Sequence, residues 1–299
     1  MKKLLLMAIF LRIALGCTSG LCCTALCAFE GDIVLVGNNE DFTSIPTKVW
    51  IFPREKGKLG RIYFGFKDIP NIPMGGMNEG GLFFDCFSTP PLEVKLSKNK
   101  EKYKGFLMTK IMEECDTVKK ALEMFSKYNL EYMRTHQTFI VDKAGDWAIV
   151  EGDAILRKKS KYQVVTNFYH SQVQNRTVTC ERYKIAVKML EQCPEVSIDC
   201  IRRILSATHL ESQPYRNEVL NTVYSNIYDL RNGLIYLYHF HDYANEVVIN
   251  LKEELMMGQH SHDIPSLFPK TIAGDRFLDE CQKQKTNARE IIRGLEEGL

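Results

Sequence analysis

The sequence predicts an α+β fold in which two antiparallel sheets have helices on their outer faces. Three observations favour it: strand patterns come in runs, helical patterns come in separate runs, and no composition break divides the chain. The 299 residues are 45% hydrophobic and 25% charged, an ordinary globular composition that excludes disorder and fibrous repeats. We therefore expect one layered domain.

Strands open this domain, and a helical block and further strands follow. The first four β-rich stretches are predicted at 24–38, 49–52, 61–66 and 81–87. Apolar residues then recur at three-, four- and seven-residue spacing, which predicts helices between 107 and 125. Strands return at 137–141, 147–151 and 162–167. Two more helices are predicted at about 180–192 and 196–208.

The last third of the chain contains the strongest local signal, a β-hairpin. Strands at 223–230 and 234–240 are joined by Arg231-Asn232-Gly233, and Asn-Gly is the pair that tight hairpin turns prefer. A further strand at 246–251 and a polar helix from about Asp275 complete the predicted elements.

The first 22 residues have the features of a secretory signal. Lys2 and Lys3 precede an apolar run from 4 to 16, which small and polar residues follow. We expect this segment to be removed, leaving 23–299 as a single exported domain, periplasmic or extracellular. Cleavage after Gly16 and cleavage after Cys22 both fit, and a faint lipoprotein-like site would instead leave a lipid anchor on Cys17.

Charge and cysteine content limit the expected partners and chemistry. With 39 basic and 37 acidic residues the chain is nearly neutral, so neither nucleic acid nor an acidic membrane is an expected partner. Ten cysteines occur without any Cys-x-x-Cys pair. Cys115 and Cys200 fall at apolar helix positions, so we interpret most cysteines as buried thiols, although export would permit disulfides.

The familiar motifs of nucleotide binding, serine hydrolysis and zinc proteolysis are missing. The glycine-rich segment 75–81 has neither the dinucleotide nor the phosphate-loop spacing. No Gly-x-Ser-x-Gly turn and no His-Glu-x-x-His helix occurs in the sequence. These reaction classes therefore lose support.

One thiol stands at the start of a predicted hairpin that brings polar residues beside it. If the chain turns at Gly31, residue 39 lies opposite Cys23, and Asn39 and Asp41 return beside the start of the first strand. An exposed Cys23 α-amino group, with a reference pKa of about 7.7 to 8.0, could act as base for its own thiol. The alternative is a buried cysteine at a polar hairpin end.

Six segments resemble, in order and spacing, the motifs of one enzyme family. They are Cys23-Thr24, 37–42, 76–82, 164–167, Arg182-Tyr183 and 222–225. The chain resembles the linear amide C–N hydrolases, which are the choloylglycine hydrolase and penicillin V acylase family of N-terminal nucleophile enzymes. The resemblance covers nearly all of the chain after residue 22, and it implies a four-layer αββα sandwich.

The resemblance also implies roles for four residues. Cys23 is similar to the family's nucleophile, freed when the preceding segment is removed, with its α-amine as base. Asp41 matches the aspartate that orients amine and thiol. Asn167 matches the asparagine that donates to the oxyanion, and Arg182 matches the arginine that holds the charged network. The implied reaction cleaves a small-molecule amide through a thioester acyl-enzyme, with no metal or cofactor.

Two positions depart from the family pattern and weaken the assignment of a substrate. Asn38 stands where the bile-salt and penicillin enzymes carry arginine, which removes a cation from the pocket mouth. Ser88 stands where they carry asparagine or tyrosine, but its backbone N–H can still donate to an oxyanion. Asn38, Asn39 and Ser88 are the candidate substrate-binding residues, and the acyl group and leaving amine stay open.

Other functions stay open from the sequence. An amine acceptor in place of water makes the same site an acyltransferase, and cleavage after Gly16 would leave a non-catalytic binding protein. A metal-dependent enzyme would use His239 and His241 on one strand face, with His260 or His262 from a later loop. We expect solvent-facing histidines on a hairpin edge instead. Homo-oligomers are frequent in the family that the chain resembles, but no interface patch is evident.

Overall fold

The computed structural model describes residues 23–43, 46–69, 72–173, 178–215 and 218–270, and beyond them 272, 274–276, 278, 279, 282 and 283. The segment 1–22, with Cys17 and both cleavage sites, lies outside the described residues. Most of the predicted helix from Asp275 lies outside them too, although the residues described there are helical.

Seventeen strands and five α-helices follow one another within the described residues. The first strands are β1 (Thr24–Glu30), β2 (Ile33–Phe42), β3 (Thr47–Phe52), β4 (Arg61–Phe66), β5 (Gly75–Asn78), β6 (Leu82–Ser88), β7 (Glu101–Lys102), β8 (Tyr128–Asn129) and β9 (His136–Asp142). The later strands are β10 (Trp147–Glu151), β11 (Ala154–Arg157), β12 (Tyr162–Val165), β13 (Gln213–Tyr215), β14 (Glu218–Asp229), β15 (Leu234–His239), β16 (Val247–Asn250) and β17 (His260–Asp263). The helices are α1 (Leu107–Glu114), α2 (Val118–Lys127), α3 (Glu181–Gln192), α4 (Ile198–Thr208) and α5 (Leu251–Met256).

Two large antiparallel sheets contain all of these strands except β7 and β8. In the first sheet the order is β12-β1-β2-β14-β15-β16, with β13 paired to β14. In the second sheet the order is β11-β10-β9-β6-β5-β4-β3-β17. Many neighbours in these orders are also neighbours in the chain, because short turns can join antiparallel strands.

Side chains alternate along each strand, so each sheet has one face toward the other sheet and one toward helices. In β1, Ala25 and Cys27 lie in the core between the sheets, while Leu26 and Ala28 lie in the core beneath α3 and α4. A third core lies between the second sheet and α1 and α2. The layers therefore run helix, sheet, sheet, helix, and the predicted four-layer αββα architecture is confirmed.

Helix α4 lies directly against β2 and so positions the strand that leads into the site. Ser197 caps the N-terminus of α4, where its Oγ accepts a hydrogen bond from the Cys200 N–H at 3.3 Å. Gly37 permits the close approach of strand and helix, because a Cβ there would lie 2.6 Å from Ile201 Cγ2.

The predicted hairpin at Asn232-Gly233 is confirmed, and its first strand is longer than predicted. Asp229 Oδ1 accepts hydrogen bonds from the N–H groups of Arg231 and Asn232. Gly233 has a φ of +69°, a conformation that favours glycine. β14 begins at Glu218 rather than at 223, because its first residues pair with β13.

One interpretation of the cysteines is wrong. Cys115 is a buried thiol as predicted. Cys200 is not a thiol, since it forms a disulfide with Cys193, with their Cα atoms 6.5 Å apart. The reason is tertiary: Cys193 directly follows α3 and Cys200 lies in the first turn of α4, so the packing of the two helices brings the sulfurs together.

Candidate active site

Cys23 stands just before β1, where the sandwich encloses a cavity. The residue is 4% exposed and lines this cavity, whose volume is about 250 Å³. The other lining residues are Glu40, Asp41, Phe42, Ile69, Ile72, Pro73, Met74, Cys86, Ser88, Phe106 and His136. Because most of the lining is apolar, the cavity favours an apolar group beside a thiol.

The register of the β1–β2 hairpin differs by one residue from the prediction. Thr24 is paired with Asn39, which places Glu40 rather than Asn39 level with Cys23. The predicted register was wrong because the turn contains two residues, 31–32, and the pairing is centred between them. A one-residue shift moves every side chain to the opposite face, so Glu40 faces the thiol, with Oε1 3.6 Å from Sγ.

Asn38 and Asn39 are not among the residues that line the cavity. Asn39 faces α4, where its Nδ2 donates to Leu205 O at 2.9 Å, and its Oδ1 accepts from Ser225 Oγ at 2.7 Å. Asn38 is 2% exposed and lies opposite Asn226 of β14. The structure therefore does not bring these two candidate substrate-binding residues to the cavity.

Arg182, in the first turn of α3, holds the polar groups around Cys23. Its Nη1 donates to the Cys23 backbone oxygen at 2.9 Å and to Thr24 Oγ1 at 2.7 Å. Its Nη2 donates to Asn167 Oδ1 at 3.3 Å, and Nη1 also lies 3.5 Å from Asp41 Oδ2. One guanidinium thus connects the candidate nucleophile, the aspartate and the asparagine, because its planar fork carries several donors.

Asp41 is fully buried beside this arginine. One carboxylate oxygen accepts a hydrogen bond from Thr222 Oγ1, and the other faces Arg182. Burial raises the pKa of Asp41 to about 7, although Arg182 and Thr222 act in the opposite direction. The carboxyl group therefore changes its charge near neutral pH, and the ion pair with Arg182 forms as it ionises.

Asn167 and Ser88 meet between the two sheets. Asn167 follows β12 in the first sheet, and its Nδ2 donates at 2.9 Å to the backbone oxygen of Ser88, the last residue of β6 in the second. Ser88 also lines the cavity with Cys23. The structure thus brings together five of the predicted site residues, namely Cys23, Asp41, Ser88, Asn167 and Arg182.

Sequence reasoning missed two buried carboxyl groups, those of Glu40 and Asp85. Glu40 accepts a hydrogen bond from Cys23 Sγ, and its second oxygen has no hydrogen-bond partner among the described residues. Burial raises the pKa of both carboxyl groups, and the charge of Asp85 raises that of Glu40 further. An acid within the apolar run 82–87 was the available signal for Asp85, and the correct hairpin register would have indicated Glu40.

The surroundings of Cys23 favour the protonated form of its thiol. Burial raises the pKa of the thiol well above its usual value, and the nearby charges of Glu40, Asp41 and Asp85 raise it further. A cysteine nucleophile reacts as the thiolate, so any nucleophilic role of Cys23 would require a base that removes this proton.

The structure separates the histidines of the alternative metal site. His239 ends β15 and is 8% exposed, so the expectation that it faces solvent is wrong. The strand alternation stops at Phe240, whose φ is +51°, and His241 stacks instead on His209 with ring centroids 4.5 Å apart. The two later histidines contact Glu254 and belong to another cluster.

The four layers, with the site between the two sheets, place this protein in a class: it has the N-terminal nucleophile hydrolase fold. It is similar to penicillin V acylase from Agrobacterium tumefaciens, with a TM-score of 0.65 and 16% identity, over 81% of this chain and 91% of that one. It is also similar to two variants of conjugated bile acid hydrolase from Clostridium perfringens, both with a TM-score of 0.63. Their identities are 13% and 14%, over 83% and 80% of this chain and 97% and 96% of theirs.

The likeness to these structures lies in the fold rather than in close sequence identity. No protein-family model matches the chain, and no curated protein sequence matches it. The fold class expected from the motif resemblance is therefore confirmed by the shape of the molecule.

Proposed function

We propose that this protein belongs to the choloylglycine hydrolase and penicillin V acylase family and hydrolyses a linear amide C–N bond, with the Cys23 thiol as nucleophile. One observation carries this proposal. The Arg182 guanidinium joins the Cys23 carbonyl, Asn167 and Asp41 next to a cavity that the thiol lines. These are the residues, and the relation between them, that the motif resemblance implies.

The proposed base is the α-amino group of Cys23 itself, set free by removal of residues 1–22. A free α-amine has a pKa of about 7.7 to 8.0, so a neutral fraction exists near physiological pH. Arg182 bonds the backbone oxygen of Cys23 at 2.9 Å, which restricts the orientation of that residue and of its amine. The amine and the thiol that it must deprotonate then belong to the same residue.

In the acylation step, the amine takes the thiol proton and the sulfur attacks the carbonyl carbon of the amide. The α-ammonium returns that proton to the leaving nitrogen as the C–N bond breaks, which leaves a thioester on Sγ. In the second step, the amine takes a proton from water and the water oxygen attacks the thioester. The products are a carboxylic acid, a free amine and the regenerated thiol.

Asn167 and the backbone N–H of Ser88 are the proposed donors to the tetrahedral oxyanion. Asn167 Nδ2 lies 2.9 Å from the Ser88 oxygen, and Arg182 holds the other end of the same amide at 3.3 Å. A donor of this kind stabilises the transition state by roughly 3 kcal/mol. Because Arg182 already orients the amide, little reorganisation is needed when the oxyanion forms.

The proposed substrate carries a small apolar acyl group. Phe42, Ile69, Met74 and Phe106 line the cavity with the thiol, and the volume of about 250 Å³ limits the size of the group. The described residues that line the cavity include two carboxyl groups and no lysine or arginine that could hold an anionic leaving group. We therefore expect a neutral or cationic leaving amine.

We also propose that residues 1–22 direct export before they are removed. The basic end and the apolar run from 4 to 16 support this, since both are features of secretory signals. Within the part of the chain that the structure describes, no helix is long and apolar enough to cross a membrane.

The test begins with intact mass and N-terminal sequencing of protein from a secreting host, for the wild type, Cys23→Ser and Cys27→Ser. Amine release is then measured from amides that join a small apolar acyl group to a neutral or cationic amine, which are the expected substrates. Bile-salt conjugates, penicillin V and N-acyl amino acids, whose leaving amines carry an acid group, are measured for comparison. We expect a mature chain that begins at residue 23, and release by the wild type and Cys27→Ser but not by Cys23→Ser. Cys27 is the matched control because it lies on the same face of β1 but outside the cavity lining.

Three results would change the proposal in different ways. A mature chain that keeps residues 17–22, or that carries lipid on Cys17, contradicts the amine base and favours a binding protein with this fold. Amine release that persists in Cys23→Ser contradicts the nucleophile. Transfer of the acyl group to an added amine, identified by product mass, keeps the site and makes the protein an acyltransferase.

A further inference from the structure

Two histidines and a glutamate cluster where the chain crosses from the first sheet to the second. Glu254 is in α5, which follows the edge strand β16 of the first sheet. His260 and His262 are in β17, the edge strand of the second sheet. None of the three lines the cavity of Cys23, so the cluster is separate from the proposed active site.

The three side chains converge on one point. His260 Nε2 lies 2.6 Å, and His262 Nε2 lies 3.3 Å, from the same atom, Glu254 Oε2. The three ligand atoms all lie within 4.8 Å of one another. Residues two apart in a strand point to the same face, so β17 presents both imidazoles to the carboxylate of α5.

The hydrogen bond at His260 Nδ1 leaves Nε2 of the same ring facing the Glu254 carboxylate. Its Nδ1 lies 2.8 Å from the Gly258 backbone oxygen, which can only accept, so Nδ1 carries the hydrogen. An imidazole that donates one N–H to a backbone carbonyl and offers its other nitrogen is the usual arrangement of a histidine metal ligand. A proton on Nε2 would give a hydrogen bond to the carboxylate for His260 alone. A metal ion would instead bind both imidazoles and the carboxylate.

We propose that Glu254, His260 and His262 bind a divalent transition-metal ion, zinc above all, with water as the fourth ligand. Imidazole nitrogens and a carboxylate oxygen suit zinc, and bond lengths of about 2.0 to 2.2 Å place tetrahedral ligand atoms roughly 3.3 Å apart. The separation of His262 Nε2 and Glu254 Oε2 is already 3.3 Å, whereas the 2.6 Å between His260 Nε2 and Glu254 Oε2 must lengthen by about 0.7 Å when the ion enters. The side chains are 18 to 33% exposed, so an ion can enter from solvent.

The bound ion would tie α5 to β17 and so stabilise the crossover between the sheets. Only a short turn through Gly258 separates the helix from the strand, and β17 pairs with a single strand, β3. Because an edge strand has a hydrogen-bonded neighbour on one side only, a metal link to α5 would stabilise the position of β17. The ion takes no part in amide hydrolysis, so the inference is independent of the role of Cys23.

The test is a zinc titration of the intact protein against a chromophoric chelator, with melting temperatures measured with and without zinc. Wild type is compared with Glu254→Gln and His262→Gln, and with His241→Gln as matched control. His241 belongs to a second group, with His209 and Glu211, whose ligand atoms also lie within 4.8 Å of one another.

We expect the wild type and His241→Gln to bind zinc and to melt at a higher temperature with it. Glu254→Gln and His262→Gln lose a ligand, so we expect their zinc binding to weaken by at least the roughly 10- to 100-fold that loss of a ligand's hydrogen-bond partner causes. His262→Cys, which supplies a thiolate ligand, is expected to restore binding and the thermal shift.

Equal zinc affinity in all variants, no zinc binding by the wild type, or loss of binding in His241→Gln alone would overturn the proposal. Cobalt bound to the wild type gives a second measurement that needs no substitution. A four-coordinate site produces strong visible absorption bands, and weak bands typical of six-coordinate cobalt would also contradict the site.

Discussion

At the scale of single residues, the candidate site depends most on Arg182. Arg182→Lys keeps the charge but loses the planar fork that bonds the Cys23 oxygen, Thr24 and Asn167 together. We expect amide hydrolysis to slow at least about tenfold, because a hydrogen bond to a charged group contributes roughly 1.5 to 3 kcal/mol. Steady-state kinetics measure this change.

The control for that substitution is Arg202→Lys. Arg202 lies in α4 and pairs with Asp199 on the surface. We expect the wild-type hydrolysis rate in this variant, and unchanged far-ultraviolet circular dichroism in both. A wild-type rate in Arg182→Lys would show that the guanidinium geometry is not required.

The charge of Glu40 affects the pKa of the Cys23 thiol, and therefore the pH at which this thiol reacts. Its charge is one of the causes that raise the pKa of Cys23, so Glu40→Gln is expected to lower that pKa. Alkylation of Cys23 by iodoacetamide, followed by peptide mass, should then become fast at a lower pH than in the wild type. Glu30→Gln, at the exposed end of β1, is the control with an unchanged profile, and an unchanged profile in Glu40→Gln would contradict the prediction.

The raised pKa of Asp41 predicts that the free energy of unfolding depends on pH. Its pKa is about 7 in the folded protein, whereas an unfolded aspartate titrates near about 3.9, so between these values only the folded state keeps the proton. The contribution of this group to stability is full below about pH 4 and is lost as the pH rises to about 7. We expect the free energy of unfolding of the wild type to fall, relative to Asp41→Asn, across that interval and to level off above it.

Urea denaturation at several pH values measures this difference. Asp199→Asn is the control, because Asp199 is on the surface and paired with Arg202. Parallel profiles for the wild type and Asp41→Asn would show that the folded pKa of Asp41 is not raised.

At the scale of elements, the contact of β2 with α4 holds Asn39 and the chain that leads to Asp41. Gly37→Ala would place a Cβ 2.6 Å from Ile201 Cγ2. We expect a loss of about 1 to 3 kcal/mol in the free energy of unfolding, typical of overpacking. Urea denaturation measures it.

The double variant Gly37→Ala/Ile201→Ala tests the cause of that loss. Removing the Ile201 side chain relieves the clash, so the double variant should lose less stability than the sum of the two single variants. Additive losses would mean that the cost of Gly37→Ala comes from elsewhere.

At the scale of the whole molecule, the site exists only where the two sheets meet. Asn167 from the first sheet donates to Ser88 O of the second, so Asn167→Ala removes a link between the sheets and the proposed oxyanion donor at once. We expect kcat to fall by roughly 100- to 1000-fold, as for other oxyanion donors, and stability to fall by about 1 to 3 kcal/mol. Kinetics and urea denaturation separate the two effects, and a wild-type kcat with reduced stability would leave Asn167 a structural role only.

The site also shows how far sequence reasoning extends. Cys23, Asp41, Asn167 and Arg182 were predicted as site residues from motifs that resemble one enzyme family in order and spacing, and the structure brings the four together. Glu40 was missed because the predicted hairpin register was wrong by one residue, and a strand reverses its faces with each residue. The length of the turn, which the strand pattern does not reveal, decides that register.

The short strands β5, β7, β8, β11, β13 and β17 were not predicted from the sequence. The sequence by itself determined the longer local elements of this protein: the Asn232-Gly233 turn, the amphipathic helices α1 to α4, and the longer strands in their order along the chain. These depend on torsional preferences and on the spacing of apolar residues within a few positions of one another. Only the tertiary structure decided which distant groups meet, such as Arg182 with the Cys23 carbonyl. Such contacts form only when packing of the layers brings buried faces together, and the position at which two faces meet depends on every element between them.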